Sequence, residues 1–197
     1  KNCFSNTGQS CNAPSRMLVP KKRINEAAEI AGKIANSTIV GHPEDKNTHL
    51  GPVVSEIQWN KIQKLIQKGI DEGANLIAGG TGAPEGLEEG FYVKPTVFSD
   101  VSNDMAIARE EIFGPVLPVK EYENFSETIN YVNSKDRPLG LYLFSKDSTK
   151  EKEVLNNTTS GGVTLNDVIW HIGQEDLPFG GVGPSGTGSY HGFDGFK

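Results

Sequence analysis

Short apolar segments and amphipathic segments take turns along this chain, and that alternation narrows the folds open to it more than any other feature. Residues 23–36 place Ile24, Ala27, Ala28, Ala31, Ile34 and Ala35 at helical spacing. A second helix is predicted after Ser55, a good N-cap, with Ile62, Leu65, Ile66 and Ile70 on one face and Gly69 and Gly73 marking its end. Phe125, Ile129 and Val132 give a third helical face, and residues 150–157 a short fourth. Strand candidates lie between them at residues 17–20, 74–78, 92–98, 116–119, 139–144 and 162–166. Pro95 demotes the third of these to an edge or a bulge. The near-continuous apolar run at 139–144 reads as a strand covered on both faces. Strands alternating with helices predict an α/β domain with a mostly parallel sheet flanked by helices. Residues 41–48 and the glycine-rich stretch 79–90 read as surface loops.

With 197 residues the chain is long enough for one domain with a real core. Its formal net charge is −6 and the two signs are mixed along it, which argues against a nucleic-acid surface or a basic membrane face. No apolar run approaches the roughly 20 residues of a membrane span, and no signal-peptide pattern opens the chain. Cys3 and Cys11 make no disulfide framework, so a reducing, cytoplasmic location is expected. The four histidines are scattered, without the i, i+4 spacing of a helical metal site, and there is no Cys-x-x-Cys, so no metal is expected. There is no initiator Met before Lys1 and no closing signal after Phe196-Lys197, so both ends look cut.

Cys11 sits between a Gly-Gln-Ser turn and an Asn-Ala-Pro-Ser segment. Small and polar neighbours keep water and substrate near the sulfur. Capping of a short turn by Asn12 and Ser15 would favour a thiolate. That is a setting for a nucleophile; the other reading is a structural cysteine packed as a small hydrophobe. The stretch Arg109-Glu110-Glu111-Ile112-Phe113-Gly114-Pro115 reads, from its residues alone, as a charged turn ahead of a strand. Gly181-x-Gly183-x-x-Gly186 matches the letters of a dinucleotide fingerprint, but Pro178 and Pro184 break any strand before it and the chain ends eleven residues later. It is rejected as a phosphate loop.

Three stretches in order resemble signatures of the aldehyde dehydrogenase superfamily: Phe4 with Gly8-Gln9-x-Cys11-x-Ala13, Glu110-Glu111-Ile112-Phe113-Gly114-Pro115, and residues 161–188 with Pro178-Phe179-Gly180-Gly181. Residues 163–196 look most like the class-3-like and coniferyl-aldehyde-like branch. The resemblance implies a truncated catalytic domain over residues 1–197, with the N-terminal cofactor domain, general-base glutamate and oxyanion asparagine lying upstream. It implies that Cys11 is the catalytic nucleophile toward a small-molecule aldehyde, oxidised with NAD or NADP through a thiohemiacetal and a thioester. Glu111 would accept the ribose hydroxyls on the nicotinamide side and Phe113 would pack near the nicotinamide ring. Phe179 would line the mouth of a substrate tunnel, or else simply pack in the core, and Asn166 would brace the loop around the cysteine. The isolated chain is expected to be inactive, and the full-length protein to be a homo-oligomer. Two rival readings stay open: a thiol hydrolase or acyltransferase with Cys11 activated by a histidine such as His171, and a non-enzymatic assembly or remnant fragment.

Overall fold

Alternate residues of neighbouring strands point to opposite faces of a sheet, and in the four-stranded sheet of this chain both faces are covered. The computed structural model describes residues 1–197, which divide into two compact units, Lys1–Glu123 and Asn124–Lys197. The first unit contains β1 (Met17–Pro20), α1 (Ile24–Asn36), α2 (Glu56–Asp71), β2 (Asn75–Ala78), β3 (Thr96–Ser99), α3 (Ala106–Arg109) and β4 (Val116–Tyr122). Its sheet runs β1-β4-β3-β2. β1 and β3 both pair parallel with β4, while β2 pairs antiparallel with β3 through an irregular register between Leu76 and Ala78. On one face Phe98 and Val116 join Ile62, Leu65 and Ile66 of α2 and Ile107 of α3. On the other, Val97, Leu117 and Val119 join Ile24, Ala31 and Ala35 of α1. This is the period-2 alternation of a pleated strand. Each fully buried Ile or Leu contributes about 1.5–3 kcal/mol of burial.

The second unit contains α4 (Phe125–Asn133), β5 (Gly140–Leu143), α5 (Ser148–Asn157), β6 (Gly162–Leu165), α6 (Trp170–Gly173) and α7 (Gly192–Phe196). β5 and β6 pair parallel, with Gly140 opposite Gly162, and α5 makes the crossover a parallel pair requires. The two glycines leave room for the His171 ring: a Cβ on Gly162 would stand 2.6 Å from its Cδ2.

Three expectations are corrected. Gly69 lies inside α2, not at its end, because a Cβ there would meet Ile107 at 3.0 Å and Phe98 at 3.3 Å. β3 begins only after Pro95 and is an interior strand, paired on both sides, so the proline precedes the ladder instead of marking an edge. β5 is half-buried along its length, and Phe144 beyond it is 66% exposed.

Candidate active site

The loop that carries Cys11 is held in an uncommon backbone shape. Asn6, Thr7 and Gly8 follow one another at φ 52°, 56° and 70°. Asn tolerates the left-handed region because its short amide can bond locally, and Asn6 Nδ2 donates to Gln9 O at 3.1 Å. Thr7 is β-branched and costly there; its hydroxyl donates to Gly51 O at 3.3 Å. Gly8 is required on two counts, its φ and its neighbour: a Cβ would lie 2.1 Å from Gly114 O. Gln9 Oε1 accepts the Val54 N–H at 3.1 Å. The loop is therefore tied on one side to residues 51–54 and pressed on the other against Gly114.

The two thiols differ sharply. Cys11 is exposed, whereas Cys3 is buried. Cys3 Sγ points at Val116 O, 3.7 Å away, and burial pushes its pKa up to about 12. Of the two thiols, only Cys11 is open to solvent. The helix start expected beside it is absent, because residues 11–16 are turn and irregular backbone.

The second motif follows α3. Phe113 is another left-handed non-glycine residue, at φ 53°, which costs of order 1–3 kcal/mol and persists only where its surroundings fix it. Those surroundings are explicit. Arg16 Nε donates to Ala108 O at 3.0 Å and its Nη2 to Glu110 O at 3.1 Å. Lys61 Nζ donates to Glu111 O at 2.7 Å. Gln58 Nε2 donates to Ile112 O at 3.0 Å and to Phe113 O at 2.8 Å. Ile112 is buried, Phe113 half-buried and Glu111 exposed. The result is a small open cleft whose lining includes Cys11, Glu111 and Phe113. Three residues singled out in two stretches a hundred positions apart thus share one cavity.

Arg16, Gln58 and Lys61 were not found from the sequence. Gln58 and Lys61 lie one turn apart near the start of a helix, where polar residues more often meet solvent, and nothing local distinguishes them.

Asn166 and Phe179 belong to the second unit. Asn166, at φ 59°, accepts the Ser145 N–H on its Oδ1 at 2.8 Å. Phe179 is 5% exposed; its ring stacks on His171 and on His191, with Tyr190 edge-on. Thr164 Oγ1 accepts the His171 backbone N–H at 3.2 Å and lies 3.0 Å from His171 Nδ1. Burial lowers the pKa of this ring. The segment around Gly181–Gly186 is a tight turn, with the Gly186 N–H on Gly183 O at 3.0 Å. It has neither the strand before it nor the helix directly after it that a phosphate loop needs. No group of three or more His, Cys, Asp or Glu is placed to hold a metal ion, and no helix is long and apolar enough to cross a membrane.

Such a cleft, carried on a sheet with parallel strands, defines a thiol-bearing α/β protein. The family model "Aldehyde dehydrogenase family" matches residues 1–197, and the chain belongs to that family. A Caulobacter vibrioides protein named "Probable coniferyl aldehyde dehydrogenase" is 41% identical over 98% of this chain and 39% of its own length. An aldehyde dehydrogenase structure from Bartonella henselae superposes with TM-score 0.93 at 45% identity, over 98% of this chain and 40% of that one. A Pseudomonas syringae aldehyde dehydrogenase C mutant, complexed with NAD+ and octanal, superposes with TM-score 0.92 at 41% identity, over 99% of this chain and 40% of that one. The chain spans about 40% of the length of these relatives.

Proposed function

We propose that this chain is the cysteine-bearing part of an NAD- or NADP-dependent aldehyde dehydrogenase. The observation that carries the reading is the single cleft lined by Cys11, Glu111 and Phe113. The residues present fit a nicotinamide nucleotide. The Glu111 carboxylate is exposed at the cleft with its backbone carbonyl, not its side chain, held by Lys61. A free carboxylate is a strong acceptor for vicinal hydroxyls. The half-buried Phe113 offers an apolar face beside it.

In this reading the Cys11 thiolate, the nucleophilic form of a thiol, forms a bond from Sγ to the aldehyde carbon. The carbonyl π pair moves onto oxygen, where the backbone N–H of Cys11 stabilises it. A bound nicotinamide cofactor supplies the hydride acceptor. Once the substrate carbon has lost hydride, Cys11 carries a thioester. Attack of water on it releases the carboxylic acid and returns the thiol. The proton-accepting base and most cofactor contacts are assigned outside this chain. On the family resemblance, Phe179 and Asn166 are kept as substrate-side residues.

The experiment joins the chain to a cofactor-binding half and follows reduced-cofactor absorbance with aliphatic and aromatic aldehydes. Turnover abolished by Cys11→Ser supports the proposal. Turnover that survives the change, or no turnover with any aldehyde, overturns it. The 197-residue chain by itself is expected to show no cofactor-dependent oxidation, since groups that act as a unit lose their effect when separated.

A further inference from the structure

We propose that Gln58 is a positioning residue: its carboxamide fixes the left-handed turn that presents Phe113 and Glu111 beside Cys11. The inference rests on the reading of that cleft as a nicotinamide-nucleotide site. A primary amide has two N–H donors on one nitrogen, and Gln58 Nε2 lies within bonding distance of two consecutive carbonyls, Ile112 O at 3.0 Å and Phe113 O at 2.8 Å. Consecutive carbonyls converge on one donor only where the chain turns sharply between them, and Phe113 at φ 53° is that turn. The two bonds oppose relaxation of Phe113 to the ordinary right-handed or extended regions, either of which would swing the Phe113 carbonyl away from Gln58.

The helix that carries Gln58 also reaches the thiol loop. Ser55 caps it, its Oγ accepting the Gln58 backbone N–H at 3.3 Å. Val54, the residue before the cap, donates its N–H to Gln9 Oε1, two residues from Cys11. One helical turn is thus bonded to both walls of the cleft, to the thiol loop through Val54 and to the acidic motif through Gln58. Two side-chain amides, Gln9 and Gln58, set the separation of nucleophile and cofactor face without touching substrate.

The first test uses the 197-residue chain without cofactor. Backbone chemical shifts and the HN–Hα coupling of Phe113 are read by NMR on labelled protein. Wild type is expected to show the left-handed signature. Gln58→Met, of similar length but with no donors, is expected to lose it. Gln58→Glu sets a carboxylate against two carbonyl oxygens; it is expected to lose the signature too, and it stands in should the first variant fold poorly. Gln67→Met, which alters an exposed bond to Asp71 on the same helix, is the control and should leave Phe113 unchanged. A folded Gln58 variant that keeps the left-handed Phe113 overturns the proposal.

The second test uses the chain joined to its cofactor-binding half. Gln58→Met is expected to lower aldehyde kcat by about tenfold, with a larger primary isotope effect from deuterated aldehyde, while cofactor-independent ester hydrolysis at Cys11 stays within about twofold. Equal losses in both reactions would mean general damage and overturn the positioning role. Glu111→Gln separates this idea from the one beneath it. If Glu111→Gln is silent while the Phe113 signature still depends on Gln58, the nucleotide reading fails and the clamp stands. If Glu111→Gln slows hydride loss and Gln58→Met does not, the clamp fails and the nucleotide reading stands.

Discussion

Cys3 and Cys11 are eight positions apart and sit in opposite environments, a contrast open to direct measurement. Burial holds Cys3 as the neutral thiol up to about pH 12, and the thiolate is the form that reacts. Cys11 is exposed. Brief iodoacetamide treatment near neutral pH is therefore expected to label Cys11 with little Cys3, as read by peptide mass mapping; preferential labelling of Cys3 would sink the nucleophile assignment. His171 offers a second residue-scale test. Burial lowers its folded pKa below the usual value of about 6.5, so the unfolded chain binds the proton more readily. Stability from the neutral ring is present above that value and is lost as pH falls through it toward the lower folded pKa. The melting temperature should drop on acidification from pH 7 to pH 5, and His171→Leu should flatten that part of the profile. An unchanged slope would count against the ring's titration as the cause. At this scale the sequence singled out Cys11, Glu111 and Phe113, each inside a recognisable motif, and the structure sets all three in the lining of one cleft. The sequence did not reveal Arg16, Gln58 or Lys61, because each acts on a backbone carbonyl at least fifty residues away in sequence.

Helices were the most legible elements, and the reason is periodicity. The apolar faces of α1 and α2 repeat at the spacing that burial demands, and Ser55 caps the second as its sequence suggests. What could not be read was what each element packs against. Gly69 is internal to α2 because α3 and β3 approach it closely, a fact of tertiary contact that no local pattern encodes. The start of β3 at Thr96 was equally hidden, for Tyr92 and Val93 are buried without joining the ladder. Gly8 illustrates the same dependence and yields a measurable contrast. Gly8→Ala would set a Cβ 2.1 Å from Gly114 O and 2.7 Å from Pro115 N, at φ +70°. Backbone atoms cannot rotate aside, so the change is expected to cost roughly 2–4 kcal/mol in a urea melt. Gly73→Ala has a similarly positive φ, +91°, but no atom within 4 Å, and should cost only the left-handed strain of about 1–2 kcal/mol. If the two variants melt alike, the close approach of the cysteine loop to Gly114 is not what holds the cleft.

At the scale of the whole chain, the parallel character of the sheets follows from the alternation of strands and helices, while the division into two units was not legible. Nothing in composition changes near Glu123; the division lies in which residues share a core. The buried clusters around α1, α2 and α3 are drawn from residues 3–119, and every lining residue of the cleft lies between Gly8 and Val116. Both sets fall inside Lys1–Glu123. That segment has a four-stranded sheet covered on both faces, and its length is well above the roughly 40 residues below which a core needs disulfides or metals. Residues 1–123 produced alone are therefore expected to fold cooperatively, to keep the preference for alkylation at Cys11 over Cys3, and to keep the left-handed signature of Phe113. Circular dichroism, mass mapping and NMR check these in turn. A non-cooperative melt, or equal labelling of the two cysteines, would show that the cleft depends on residues 124–197 and that the two units are one folding system.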